Sequence, residues 1–181
     1  MLVAITGASG AILGIKFLKE LKKLEIETEL IISEKAEIII KTETEYDIKG
    51  VRDLANKNYE VNDLTAAPAS GSYNVDKMVV IPCSMKTLAA VANGYSDNLI
   101  SRVADVMIKE RRKLILVVRE TPLNAIHLEN MLKLTRLGVV IFPPIPSFYH
   151  KPQNVDDIVK HTIGRILDQA GIKIDIKRWG N

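Results

Sequence analysis

The chain has few of the residues from which staples, metal clusters and anchors are made. A single cysteine, Cys83, in 181 residues excludes an intrachain disulfide and makes a reducing cytoplasm the expected setting. Three histidines, His127, His150 and His161, with no H-x-x-x-H or C-x-x-C spacing, leave no frame for a structural or catalytic metal. No apolar run approaches the roughly 18 residues that span a bilayer, so no membrane segment is expected. The opening MLVAITGASG carries no charged leader ahead of its apolar run and does not read as a signal peptide. Charge of one sign is also lacking. The 25 Lys and Arg against 22 Asp and Glu leave +3, interspersed rather than in blocks, which gives no reason to expect nucleic acid as a partner.

What is present suits a compact enzyme. At 47% hydrophobic and 26% charged the composition is ordinary for a globular protein, and the length suits one domain, 1–181. Such a domain hides about 70% of the surface its unfolded chain exposes and needs no staple. Apolar runs at Leu2–Thr6, Glu29–Ile32, Lys77–Ile81 and Leu114–Val118 read as buried parallel strands. A fifth, Val139–Phe142, stops at Pro143 and Pro144. Helical steps of three and four link Leu13, Phe17, Leu21 and Leu24, then Leu99, Val103, Val106 and Met107. A last stripe runs through Val155, Ile158, Val159, Thr162, Ile163 and Ile166 behind an Asn154 cap. The stretch 46–64 shows no clear period. Strand alternating with helix predicts an α/β fold with a doubly wound, Rossmann-like, mainly parallel sheet in three α/β/α layers. Ligands of such sheets bind outside the carboxyl ends of the strands.

That rule points to 7–10, 33–43, 82–87, 119–122 and 143–150, and five stretches at that edge or beside it could carry chemistry. Gly7-Ala8-Ser9-Gly10 joins strand to helix, where glycines permit a sharp turn and the helix N-terminus attracts an anion. It is neither a G-x-G-x-x-G nor a Walker loop, and a purely structural turn accounts for it as well. Pro82-Cys83-Ser84-Met85-Lys86-Thr87 offers two hydroxyls and a charge to a phosphate or a ring edge, or simply an N-cap and a first turn. Cys83 has no base that the sequence can pair with it, and buried inert cysteine is the commoner state. Arg119-Glu120 directly follows a buried strand, as a phosphate ligand would or as a structural ion pair. Arg102 and Lys109, seven residues apart, share nearly one helical face, a pattern solvated charges also give. The loop 143–152, with Tyr149, and Arg165 beside the last apolar stripe suit a pocket wall with an anion site, or a connector packing at a subunit contact.

Together these pieces resemble the flavin prenyltransferase (UbiX) family, formerly known as aromatic-acid decarboxylases. The likeness runs through ITGASGAI, ISEKA, PASGSY, IPCSMKTLAAVANG, DNLISRVADVMIKERR, LVVRETPL, PPIPSFYHKP and GRILDQAGI, in that order along the whole chain. It implies non-covalent FMN, alkylated in its reduced form at N5 and then C6 by dimethylallyl monophosphate, with the prenylated FMN passed to a separate decarboxylase. It implies Gly7, Ala8, Ser9, Ser33, Ser84, Met85, Lys86, Thr87 and Arg119 as FMN contacts, and Tyr149 and Arg165 as ligands of the prenyl phosphate. Ser9, Glu43, Glu120, Arg102 and Lys109 match catalytic positions, with Glu45 leaving the Glu43 alignment slightly ambiguous. The resemblance further implies a homo-oligomer, often a dodecamer, with sites between subunits. The absence of an aspartate-rich magnesium motif agrees with a monophosphate held by Arg and Lys alone, whose preplaced charge stabilises the departing dianion.

Three other readings compete. An FMN-dependent cysteine decarboxylase of the same fold carries P-x-M-N-x-x-M-W and an early active-site histidine, neither of which occurs here. A non-catalytic FMN-binding module leaves Tyr149, Arg165 and Arg102 without a role. An NAD-dependent reductase needs a second fingerprint glycine and an acid where Ser33 stands.

Overall fold

The computed structural model describes residues 1–180. Six strands, β1 (Leu2–Ile5), β2 (Glu29–Ile32), β3 (Lys57–Tyr59), β4 (Lys77–Cys83), β5 (Lys113–Val118) and β6 (Val140–Ile141), form one parallel sheet in the order β3-β2-β1-β4-β5-β6. Six α-helices lie between them, α1 (Ala11–Lys23), α2 (Glu34–Glu43), α3 (Ile48–Arg52), α4 (Met85–Ala92), α5 (Leu99–Lys109) and α6 (Ala125–Arg136), and α7 (Val155–Gln169) follows the last strand. This is the doubly wound architecture that the alternating runs predict.

Side chains alternate across a strand, and each face of the sheet builds its own core. Val3, Ile5, Leu30, Ile32, Val79 and Ile81 pack with α1, α2 and α7. Leu2, Ala4, Ile31, Met78, Val80 and Leu116 pack with α4, α5 and α6. Phe17 of α1 is fully buried, and truncating such a residue to Ala costs about 3–5 kcal/mol. The α1 helix lies so close to the sheet that a Cβ on Gly14 would stand 2.5 Å from the Ile81 carbonyl.

The larger differences from expectation sit at the sheet's edges. The stretch 46–64 folds into α3 and β3, and β3 exposes Lys57 and Asn58, so no apolar run marks it. The fifth expected strand shortens to Val140–Ile141, half-buried at the opposite edge. Strand β4 runs on to Cys83 through Pro82, and the register shift between Val80 and Cys83 absorbs a residue that cannot donate to the ladder. Val155 heads the α7 stripe but is 75% exposed, being a first-turn residue just past the Asn154 cap, whose side chain accepts the Asp157 N–H.

Chain direction across the sheet reverses between β1 and β4. The loops after these two central strands therefore part there and leave a crevice at the carboxyl edge.

Candidate active site

Buried Thr6 ties the two central loops together at the crevice floor. Its hydroxyl donates to the Pro82 carbonyl at 2.8 Å and accepts the Ser84 N–H at 2.8 Å, while its own N–H donates to the same carbonyl. The glycines of the first loop serve two separate ends. Gly10, at φ 96°, takes the left-handed turn into α1 that only glycine adopts freely. Gly7 makes room for a neighbour, since a Cβ there would stand 2.5 Å from Lys35 Cβ at the start of α2.

Gly10 is the N-cap of α1 and has no side chain to cap it. Glu43, the last residue of α2, does so from a distance: its Oε2 accepts the Gly10 N–H at 2.8 Å and the Ala11 N–H at 3.3 Å. Desolvation pushes the carboxyl's pKa up, but the Ser9 hydroxyl, the two amides and the Arg119 charge outweigh it and hold it below the ordinary carboxylate range. Thus Ser9, Glu43 and Arg119 form one group at the mouth of the first loop. Arg119 is further fixed by its N–H, which donates to the Cys83 carbonyl at 3.1 Å.

Beside that group a cleft of about 490 Å³ is lined by Thr6, Gly7, Ser33, Ser84, Met85, Lys86, Thr87 and Glu120, with Glu34, Lys35, Val61, Asn62, Asp97, Asn98 and Ile100 completing it. Three helices begin on it, α2, α4 and, at its Asn98 cap, α5. Ser33 caps α2 by accepting the Ala36 N–H at 3.2 Å, and Ser84 caps α4 by accepting the Thr87 N–H at 3.3 Å. Both serines are thus caps and cleft walls at once. The first-turn amides of a helix lack acceptors of their own, and the end carries partial positive charge. Lys86 reaches across to Asp97 at 3.4 Å. Glu120 accepts the Thr121 N–H at 2.9 Å. Cys83 is fully buried, and desolvation drives its thiol pKa well up, which agrees with an inert core residue rather than a nucleophile. Ala8 does not line the cleft; its N–H donates to the Thr6 carbonyl and shapes the loop.

A second cavity, of about 390 Å³, brings Tyr149 and Arg165 together with Phe142, Ile145, Ser147, His161, Thr162 and Trp179. It shares no lining residue with the first. Arg165 lies 3.9 Å from Asp168, whose carboxylate is already engaged by Arg178 at 2.7 and 2.9 Å. Arg102 and Lys109 stand elsewhere. Arg102 donates to the Ala69 carbonyl and to Asp105, both at 3.0 Å, and Lys109 pairs with Glu110 beside Gly71. Among the described residues no hydrogen bond or ion pair links these two to Arg165 within the chain. Also among the described residues, no group of three or more His, Cys, Asp or Glu side chains stands together as a metal site requires, and no helix is long and apolar enough to cross a membrane.

Sequence reasoning missed the cleft's far wall and its floor. Asn98, which caps α5 in a reciprocal box with Ser101, was recoverable from its spacing. Thr6, Val61 and Asn62 reach the cleft only through tertiary folding and leave no local signal.

A parallel sheet with a crevice at its switch point, walled by helix N-termini and a glycine loop, defines a doubly wound protein of the nucleotide-binding type. The sequence model of the family described as Flavoprotein matches residues 1–167. A flavin prenyltransferase UbiX of Methanocaldococcus jannaschii is 54% identical over 181 residues, covering 99% of this chain and 98% of the relative. A crystal structure of AnUbiX (PadA1) in complex with FMN and dimethylallyl pyrophosphate superposes with a TM-score of 0.98 at 52% identity, over 99% of this chain and 96% of that one. A dodecameric FMN-dependent UbiX-like decarboxylase from Escherichia coli O157:H7 superposes with a TM-score of 0.96 at 47% identity, over the full length of both chains. The chain belongs to the UbiX family of flavin prenyltransferases. The peptidyl-cysteine decarboxylase EpiD, at 19% identity and a TM-score of 0.66, shares the fold alone.

Proposed function

We propose that the cleft at the β1–β4 crossover holds FMN, and that the chain moves the dimethylallyl group of dimethylallyl monophosphate to N5 and then C6 of the reduced flavin. A decarboxylase that uses the prenylated flavin takes up the product. The observation that carries the reading is the build of the cleft. Its volume of about 490 Å³ falls within the range of small-molecule sites. Amides and hydroxyls of the Ser84–Thr87 turn suit an anion, while Met85 and Ile100 give apolar wall for a ring. Reduced FMN supplies the nucleophilic ring atoms.

The chain's own groups supply the rest. Glu43 is ionised near neutral pH, because its pKa lies below the ordinary range and the Ser9 hydroxyl donates to it. With its proton so directed, Ser9 Oγ faces the loop's ligand as an acceptor, and Glu43 is the base behind it. Tyr149 and Arg165 hold the phosphate of the donor, where a fixed guanidinium stabilises charge as the group departs. Arg102 and Lys109 add positive charge from another copy of the chain. The cleft, the Arg102–Lys109 patch and the Tyr149 cavity, separate within one chain, meet between subunits of a homo-oligomer, a dodecamer as in the E. coli relative. The exposed apolar side chains of Ile126, Leu128 and Leu132 on α6 and of Phe148 in the loop are surface that such an assembly covers.

The test is mass analysis of the flavin released after anaerobic incubation of reduced, FMN-loaded protein with dimethylallyl monophosphate. A flavin heavier by one C5 unit supports the transfer. Unmodified FMN on a loaded protein points instead to a binding module.

A further inference from the structure

We propose that His161 is a positioning residue that fixes the direction of the Tyr149 hydroxyl proton, turning it away from the protein and toward the phosphate of the prenyl donor. The inference rests on the reading of Tyr149 and Arg165 as phosphate ligands. His161 is 7% exposed on α7, and both of its ring nitrogens are engaged. Nε2 stands 3.2 Å from the Lys177 carbonyl and 2.9 Å from the Tyr149 hydroxyl, and Nδ1 stands 3.1 Å from Ser147 Oγ.

A carbonyl has no proton to give, so the ring hydrogen sits on Nε2. Burial, then His150, Arg165 and Arg178, lower the ring's pKa against the opposing pull of the Lys177 carbonyl. The ring is therefore neutral and Nδ1 is bare. Ser147 Oγ donates to that bare nitrogen, and the Nε2–H is shared between the Lys177 carbonyl and the Tyr149 oxygen. Tyr149 thus accepts from the interior, and its own proton has to find an acceptor on the cavity side, where Arg165 also stands.

His150 completes the order from behind. It stacks on His161 at 4.3 Å and 7°, and its Nδ1 donates to Ser147 Oγ at 3.4 Å. Its Nε2 is left buried without a partner, which is the nitrogen this order leaves bare. Every donor in the chain His150–Ser147–His161–Tyr149 therefore points the same way, and the last proton is the one offered to an anion. The opposite tautomer would place a Tyr149 lone pair against the phosphate and leave the Lys177 carbonyl facing a bare nitrogen.

The experiment measures binding and turnover separately. Dimethylallyl monophosphate is titrated calorimetrically into protein carrying oxidised FMN, so that no transfer takes place, and KM and kcat are then measured with reduced flavin. His161→Leu should weaken binding and raise KM about three- to tenfold, the range of one neutral hydrogen bond, with kcat little changed. His161→Gln, which can again place a donor toward Tyr149 and Lys177, should recover most of the loss. In a Tyr149→Phe background His161→Leu should add nothing. Ser147→Ala, which removes the bond to Nδ1 without opening the α7 core, should move binding in the same direction by less, and it serves if His161→Leu does not fold. Tyr149→Phe weakening binding while the His161 and Ser147 variants bind normally would overturn the inference and leave the phosphate reading standing. Equal losses from His161→Leu with and without the Tyr149 hydroxyl would also overturn it. Normal binding by Tyr149→Phe would overturn the phosphate reading and the inference together.

Discussion

Glu43 should reveal itself in the flavin-free protein, before any chemistry is measured. Its carboxylate caps α1 across the loop, at 2.8 and 3.3 Å from two amides that no residue of their own segment satisfies. Removing a capping side chain costs about 0.5–2 kcal/mol, of which the charge at the helix N-terminus accounts for about 0.3–1 kcal/mol. Glu43→Ala should lose both parts and Glu43→Gln only the second. For a chain of this length each kcal/mol shifts Tm by about 2–4 °C, so Ala should melt about 1–8 °C lower and Gln about 0.6–4 °C lower. The assay is calorimetry on stripped protein at fixed concentration, because assembly makes Tm concentration-dependent. The pH dependence has a definite sign. A carboxyl whose folded pKa is depressed contributes stability fully above its unfolded value, about 4.3, and loses it as pH falls through the folded one. The gap between wild type and Glu43→Gln should therefore be present near neutrality and close in acid. Melting of Glu43→Ala together with wild type at neutral pH would refute the capping argument and leave Glu43 a reaction-centre residue alone.

Three further outcomes are expected. Gly7→Val should fail in the absence of flavin as well as in its presence, because the new side chain meets Lys35 Cβ from 2.5 Å and overpacking of this kind costs about 1–3 kcal/mol; a normal melting temperature for the stripped variant would contradict the packing. Arg165→Ala should retain FMN, read by bound-flavin absorbance, and raise the dimethylallyl monophosphate requirement by roughly one to two orders of magnitude, with Tyr149→Phe raising it by less; wild-type saturation in both would move the phosphate site elsewhere. EDTA should leave prenyl transfer intact, whereas a loss restored by magnesium would count against a leaving group held only by Arg, Lys and Tyr.

The central strands were readable because a parallel strand buried on both faces spells itself as an unbroken apolar run, as Leu2–Ile5 and Leu114–Val118 do. The edge strand β3 has no such signature: Lys57 and Asn58 pair with β2 through their backbones while their side chains meet solvent. The segments that directly follow strands were legible for the same topological reason, since strand ends place them at the carboxyl edge whatever their sequence. What they touch was not. That Glu43 caps a helix 32 residues away, that Gly7 is small for the sake of Lys35, and that Arg102 holds the Ala69 carbonyl are long-range facts with no local pattern. That Arg102 and Lys109 share a helix side was legible, but not their intrachain partners, the Ala69 carbonyl and Asp105 for the first and Glu110 for the second.

The buried hydroxyl of Thr6 makes the crevice lopsided in its mechanics. By joining the Pro82 carbonyl to the Ser84 amide it rivets the turns after β1 and β4 into a single jaw seated on the two innermost strands. The opposite jaw is held by lighter fastenings, the Lys86–Asp97 ion pair at 3.4 Å and the Asn62–Glu34 hydrogen bond at 3.2 Å, both exposed. Surface pairs of this kind contribute about 0–1 kcal/mol, and within that jaw the Leu99 N–H donates to the Val61 carbonyl at 2.7 Å. The first-turn amides of α4 belong to the riveted jaw.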